Sequence, residues 1–330
     1  MLENVQSPLI EPVTEPDLSA ILRATLDPGI ELVQHRQLTG GLFNTSYYVV
    51  TRHPRHEIIL RIAPSEQKHA TLFDYEKTMM AAEPAIYDLM RGAGVPVPDV
   101  LAVDATGYVI GRQAILLRYL DSTPMSDPVI PKAAKPALRR QLGAYLRRMH
   151  AITHEQFGRV QPDGTVDGDA SWRVVFGALY AEAVRRCREH DLLGAETLAQ
   201  AEQRFAAHAD LLDDAAIRPA LIHGDIWDAN VLLARDEAGA WQIAAIIDVD
   251  RALFADRAFE AALWHNTSDF IAGYDHPLDN SDAAQARRLL YMLFHDLFHV
   301  FVFGVQIPAP DVCAHHREQL HDLLNFVNFA

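Results

Sequence analysis

The stretch His223-Gly224-Asp225-Ile226-Trp227-Asp228-Ala229-Asn230, followed by the apolar run Val231-Leu232-Leu233, decides how this chain is read. Its skeleton, His-x-Asp-x-x-x-x-Asn, sets a carboxylate and an amide five positions apart. Phosphoryl transfer asks little covalent work of a protein: the acceptor hydroxyl must be aimed, and a metal must neutralise the charge that develops. On that chemistry Asp225 orients the hydroxyl and accepts its proton, while Asn230 offers an amide oxygen to magnesium. A lone Asp or Asn in a loop is ordinarily a turn or cap residue, so the weight rests on the combination.

Outward from the loop, Ala245-Ile246-Ile247-Asp248-Val249-Asp250 is an apolar, strand-like run that delivers a carboxylate 18 positions after Asn230. Asp248 is the expected main magnesium ligand. Ala234 to Ala240 has the composition of a hairpin turn, which would return Asp248 to the neighbourhood of Asn230. Upstream, Leu32 to Ala63 alternates apolar and polar residues around Thr39-Gly40-Gly41, predicting a β-rich segment with a glycine turn. Glycine there lets backbone N–H groups approach phosphate oxygens without obstruction. Ala70 to Arg91 has helical spacing ended by Gly92-Ala93-Gly94 and two prolines, and Val100 to Asp104 and Tyr108 to Tyr119 return to strand character.

After Asp121 the pattern changes to helices over Lys135 to Ile152, Trp172 to His190, Glu196 to Leu212 and Ala283 to Phe303. Ser122 to Pro136, with four prolines, serves as a connector. The expected division is residues 1–121, rich in strands with one main helix, and residues 122–330, mostly helical. The 330 residues carry a net charge of -15, which disfavours nucleic acid as a partner and suits a cationic ligand or simple solubility. Cys187 and Cys313 are far apart without metal-ligand spacing, as in a reduced cytoplasmic protein. Met1 to Glu15 lacks the form of a secretory leader, and no apolar run reaches the length of a membrane span, so no membrane partner is expected.

These features resemble the aminoglycoside phosphotransferase, choline kinase and fructosamine kinase group, over roughly residues 38–304. The resemblance implies an α+β, two-lobed protein-kinase-like fold and an ATP- and Mg2+-dependent kinase of small-molecule hydroxyls. It implies that Leu38 to Asn44, with Gly40, Gly41 and Asn44, covers the nucleotide, and that Arg61 on Ile58 to Ile62 reaches its phosphates. Glu83 is implied as the helix glutamate that pairs with Arg61, with Glu76 in reserve because Pro84 follows Glu83 and disfavours helix there. Leu117, within Leu116 to Leu120, is implied as part of the hinge along which adenine lies. Asp225 to Asn230 corresponds to the catalytic loop and Asp248 to the metal-binding aspartate, while Asp256, in Phe254 to Glu260, is a structural tie. Arginine stands at 61 where many members have lysine, Ala255 replaces a glycine and Glu260 replaces a second aspartate.

Trp227 and the segment Leu290 to His299 are closer to the fructosamine kinase branch, although Tyr291, Phe294, Phe298 and Phe301 at helical spacing also suit an ordinary core stripe. The expected acceptor is polyhydroxylated or cationic, seated near Asp225, Asp228 and the acids around Asp269 and Asp275. His295, His299, His315 and His316 are read as half-buried or solvated histidines rather than a zinc site. The alternative is a non-catalytic, kinase-like nucleotide-binding or regulatory protein. A protein kinase is disfavoured because no activation segment ending in Ala-Pro-Glu follows Asp248.

Overall fold

The computed structural model describes residues 6–264 and 267–326. Met1 to Val5, where the stretch read for a leader begins, lie outside the described residues. Helix α1 (Glu15–Thr25) opens the chain on a capping box, Thr14 and Asp17 each accepting the other's backbone N–H. It packs Leu18, Ile21 and Leu22 against a five-stranded antiparallel sheet. The sheet comprises β1 (Glu31–Gln37), β2 (Thr45–Arg52), β3 (Glu57–Ile62), β4 (Val100–Asp104) and β5 (Ala114–Arg118), in the order β1-β2-β3-β5-β4. Alternation along β2 and β3 sends Tyr47, Val49, Ile58, Leu60 and Ile62 into the α1 interface. Ile115 and Leu117 of β5 turn instead to helix α2 (Met79–Gly92), meeting Ile86, Tyr87 and Met90.

Two local expectations change. The strand predicted over Tyr108 to Tyr119 shortens to β5, because the Asp104 carboxylate accepts the N–H groups of Tyr108 and Val109 and folds a turn between left-handed Gly107 and Gly111. The helix predicted from Ala70 breaks into two 3-10 turns, Glu66–Thr71 and Asp74–Lys77, before α2 begins. The Glu76 carboxylate turns back to accept the Phe73 N–H at 2.9 Å, which caps the second turn. Pro84 stays inside α2 and Glu83 is helical.

The remainder is mostly helical and holds two small sheets. Its elements are β6 (Thr123–Pro124), α3 (Lys135–His150), β7 (Phe157–Val160), β8 (Val166–Asp169), α4 (Trp172–Glu189), α5 (Ala195–His208), β9 (Ala220–Ile222), β10 (Val231–Arg235), β11 (Trp241–Ile246), β12 (Leu253–Ala255), α6 (Ser268–Tyr274), α7 (Asp282–Phe301) and α8 (Pro310–Leu324). The sheets run β11-β10-β6 and β8-β7-β12-β9. The β10–β11 hairpin turns through Asp236, whose carboxylate accepts the N–H groups of Ala238 and Ala240. Helices α3 and α6 touch backbone to backbone: a Cβ on Gly273 would lie 1.9 Å from the Arg140 carbonyl oxygen, and one on Gly143 2.1 Å from that of Phe270.

Helix α7 continues through a π-turn to Gln306. By length and hydropathy the 25-residue stretch Asp282–Gln306 could cross a membrane, contrary to the expectation that no segment could. Its burial is that of a core helix: Leu290, Leu293, Leu297, Val300 and Phe301 are inaccessible, packed in one cluster with Phe176, Val184 and Leu198 of α4 and α5.

Candidate active site

The catalytic-loop motif occupies the turn between β9 and β10, and its shape is fixed by groups outside it. Gly224 has φ +77, and a Cβ there would lie 2.8 Å from the Arg251 carbonyl oxygen, so glycine is required twice over. Glu260 Oε2 accepts the N–H of His223 at 2.8 Å and that of Gly224 at 3.2 Å. Burial works against the Glu260 charge, but His150, His223 and those N–H groups outweigh it and hold its pKa below the usual value. The residue read from sequence as a scaffold substitution therefore anchors the loop.

His223 is buried: its Nδ1 accepts the Asp225 N–H at 3.3 Å, and its Nε2 donates to the Ile247 carbonyl at 3.0 Å. That bond, with Ile247 N–H donating to the Asn230 carbonyl at 3.0 Å, clamps the loop to the chain entering Asp248. Asp248 lies just past β11 rather than on the strand, in the left-handed region at φ +66. Aspartate tolerates that conformation better than most residues. The Asn230 Nδ2 donates to the Asp225 carbonyl at 2.9 Å and more weakly to Asp225 Oδ2 at 3.4 Å, so its amide oxygen is the atom left to meet a cation.

Arg61 brings the amino-terminal sheet to this place. Its Nη1 donates to Glu83 Oε2 at 2.7 Å and its Nη2 to Asp248 Oδ1 at 2.5 Å, with Asp250 Oδ2 at 3.6 Å. Glu83, not Glu76, is thus the partner. Glu76 instead accepts from Gln306 Nε2 at 2.5 Å and stays uncharged more readily through burial. Glu83 is fully buried, which lifts its pKa to about 7 against the pull of Arg61. The register pairs Thr45 with Ile62 and Ser46 with Arg61, placing the Leu38 to Asn44 turn at the Arg61 end of the sheet. Gly40 there has φ +99, and the buried Asn44 Oδ1 has no hydrogen-bond partner. Leu117 is buried on β5 opposite Ile59.

Asp225 faces a cavity of about 480 Å³. The walls come from far apart in sequence: Tyr75, Arg159, Leu179, Arg251, Phe259, Trp264 and, from α7, Phe294, His295, Phe298 and His299. Burial raises the Asp225 pKa, Arg251 opposes this from 3.6 Å, and the negative Asp248 adds to the rise. Asp228 also lines the cavity but is engaged by Arg139 at 2.5 Å and Lys135 at 3.5 Å. Asp269 and Asp275 pair with Arg140 and Arg147 and do not line it. Asp256 ties the region to α7 by accepting from Arg287 Nε at 2.9 Å and the Tyr291 hydroxyl at 2.7 Å. The histidines of α7 and α8 gather at the cavity edge: one ring nitrogen from each of His295, His299 and His316 lies within 4.8 Å of the others. His299 and His316 stack with centroids 4.7 Å apart, and Nδ1 of His316 meets Asp296 Oδ1 at 2.9 Å.

The donors near Asp248 are oxygens throughout, the carboxylate of Asp248 and the amide oxygen of Asn230, a hard set that fits magnesium. The site thus combines a carboxylate at the cavity, Asp225, with two oxygen-bearing side chains, Asn230 and Asp248, and a guanidinium, Arg61, engaged by Glu83 and Asp248. A family model described as "Phosphotransferase enzyme family" matches residues 34–291. The chain belongs to that family.

A curated relative, the "Probable ketoamine kinase" of Lactiplantibacillus plantarum, is 25% identical over 292 residues, covering 84% of this chain and 91% of the relative. Among solved structures, a Thermobifida fusca YX-ER1 protein assigned as a fructosamine-3-kinase superposes with a TM-score of 0.64 at 22% identity, over 93% of this chain and 96% of its own. Aminoglycoside phosphotransferase APH(4)-Ia, solved as a thermostable mutant in ternary complex with AMP-PNP and hygromycin B, gives 0.65 at 17% identity, over 94% and 98%. The two-lobed kinase-like fold follows, and the protein is a small-molecule phosphotransferase.

Proposed function

We propose that this phosphotransferase uses ATP and Mg2+ to phosphorylate a hydroxyl of a ketoamine, a sugar carrying an amine-linked substituent. The observation that carries the reading is the aromatic-walled cleft lined by Asp225, within a loop fixed by Glu260 and His223. The nucleotide is assigned to residues 1–121 and the acceptor to residues 122–330. Asp225 takes the hydroxyl proton as the acceptor oxygen bonds to the γ-phosphorus and the bond from that phosphorus to the ADP oxygen breaks. Magnesium, held by Asp248 and Asn230, would neutralise phosphate charge. Arg61 would clamp phosphate through its fork, with Glu83 fixing its angle. Gly40, Gly41 and Asn44 would cover the nucleotide, and Leu117 would lie beside adenine. Buried free thiols at Cys187 and Cys313 suit a reducing cytoplasm.

An ADP-release assay over ketoamines, aminoglycosides, choline and simple sugars tests this, with turnover expected for a ketoamine. ADP release with none of them, and no nucleotide binding by calorimetry, would favour the non-catalytic reading instead.

A further inference from the structure

The charges lining the cavity are equal in number but are not all paired one with another. Three guanidinium groups, Arg139, Arg159 and Arg251, face three carboxylates, Asp225, Asp228 and Glu260. Arg139 is committed to Asp228 and Arg251 to Asp225, while Glu260 is spent on the N–H groups of the catalytic loop. Arg159 forms no ion pair among the described residues, and its Nη1 is buried without a hydrogen-bond partner. Its guanidinium lies 3.5 Å from the centroid of the Tyr75 ring, a contact that holds the fork in place without satisfying its N–H donors. An arginine in such a position ordinarily loses more by desolvation than a ring face returns.

Resting on the ketoamine kinase reading, we infer that the acceptor carries a carboxylate and that Arg159 receives it. A planar carboxylate matches the guanidinium fork and supplies the single negative charge that Arg159 lacks. A phosphate would match less well, since its second charge would enter a cavity whose other two guanidinium groups, Arg139 and Arg251, are committed to Asp228 and Asp225. Leu179, Phe259, Trp264, Phe294 and Phe298 line the same cavity and give an apolar wall suited to a hydrocarbon side chain. The acceptor class is therefore a ketoamine formed from an apolar amino acid that keeps its carboxylate, with the sugar hydroxyl at Asp225. Arg159 acts here as a specificity residue and takes no part in moving the proton.

Calorimetric titration and steady-state kinetics with two probes, the fructose adducts of leucine and of leucinamide, test the inference in wild type, Arg159→Lys and Arg159→Gln. Wild type should bind the acid at least about tenfold more tightly than the amide, the size of one charge-assisted pair. Arg159→Gln should abolish the difference through KM with kcat nearly kept, and Arg159→Lys should restore part of it. Circular dichroism and melting profiles establish that the variants fold. Equal affinity of wild type for acid and amide overturns the inference, as does a preference for the acid that survives in Arg159→Gln. Tighter binding of a phosphorylated amide analogue than of the acid overturns it too. Arg159-dependent binding of the acid without phosphorylation of either probe would support the carboxylate site and count against the kinase reading alone.

Discussion

Arg61 holds two carboxylates at once, Glu83 from its own sheet's helix at 2.7 Å and Asp248 from the opposite half of the chain at 2.5 Å. The two contacts differ in burial: Glu83 is fully enclosed, whereas the Asp248 side chain is 35% exposed. Removing the charge at one or the other should therefore have separable effects. Glu83→Gln leaves a buried guanidinium short of its partner and is expected to destabilise the fold by about 3 kcal/mol, read by urea denaturation. Asp248→Asn should melt within a few degrees of wild type yet lose most of its turnover. Equal melting of the two variants would argue against the burial difference as the cause.

Asp225→Asn should lower kcat by about two to four orders of magnitude, the usual contribution of a positioned general base. Because burial raises the Asp225 pKa in the folded enzyme, the acid limb of kcat/KM should fall at a pH above the ordinary aspartate value of 3.8. Substitution of Arg251 by Gln removes the guanidinium that opposes the rise and should move that limb further towards neutral pH. A limb at 3.8 or below in both proteins would contradict the electrostatics described.

Two glycines set opposing demands on stability and rate. Gly273→Ala places a methyl group against the Arg140 carbonyl and should cost about 1–3 kcal/mol by forcing α3 and α6 apart, with the catalytic loop unaltered. Gly224→Ala should act mainly on kcat, since it strains a left-handed turn and pushes on Arg251 beside Asp225. Denaturation and kinetics on the same two variants separate the effects.

Burial, together with His295, His316 and Arg251, holds the His299 pKa well below its ordinary 6.5. Its neutral form is thus favoured by folding, and the associated stability is present above pH 6.5 and is lost as pH falls towards the lower folded value. His299→Gln should therefore flatten the acid side of the stability profile below pH 6.5, measured by melting temperature across pH.

Asp225, Asn230 and Asp248 were legible because all three flank one short hairpin, β10–β11, and local spacing is what a sequence displays best. The pairing of Arg61 with Glu83 depended on likeness to a known family, since nothing in the spacing of 22 positions announces a contact between a strand and a helix. Helix α1 went unread although Thr14-Glu15-Pro16-Asp17 carries a capping signal. The α7 wall falls within Leu290 to His299, which likeness to the fructosamine kinase branch had marked, but Arg159 and Arg251 gave no sign at all. They converge only when the β7–β8 hairpin, α4 and α7 are packed together, and an arginine on a short strand is indistinguishable in sequence from a solvated one. The commitment of Asp228, Asp269 and Asp275 to neighbouring arginines was hidden for the same reason.

Helix α7 contributes Phe294, His295, Phe298 and His299 to the cavity, whereas Arg61, Glu83, Asn230 and Asp248 all belong to other elements. On the function proposed above, recognition of the acceptor and handling of the phosphate are written on different stretches of chain. A lineage could redraw the face of one helix, acquire a new substrate, and inherit the transfer machinery untouched.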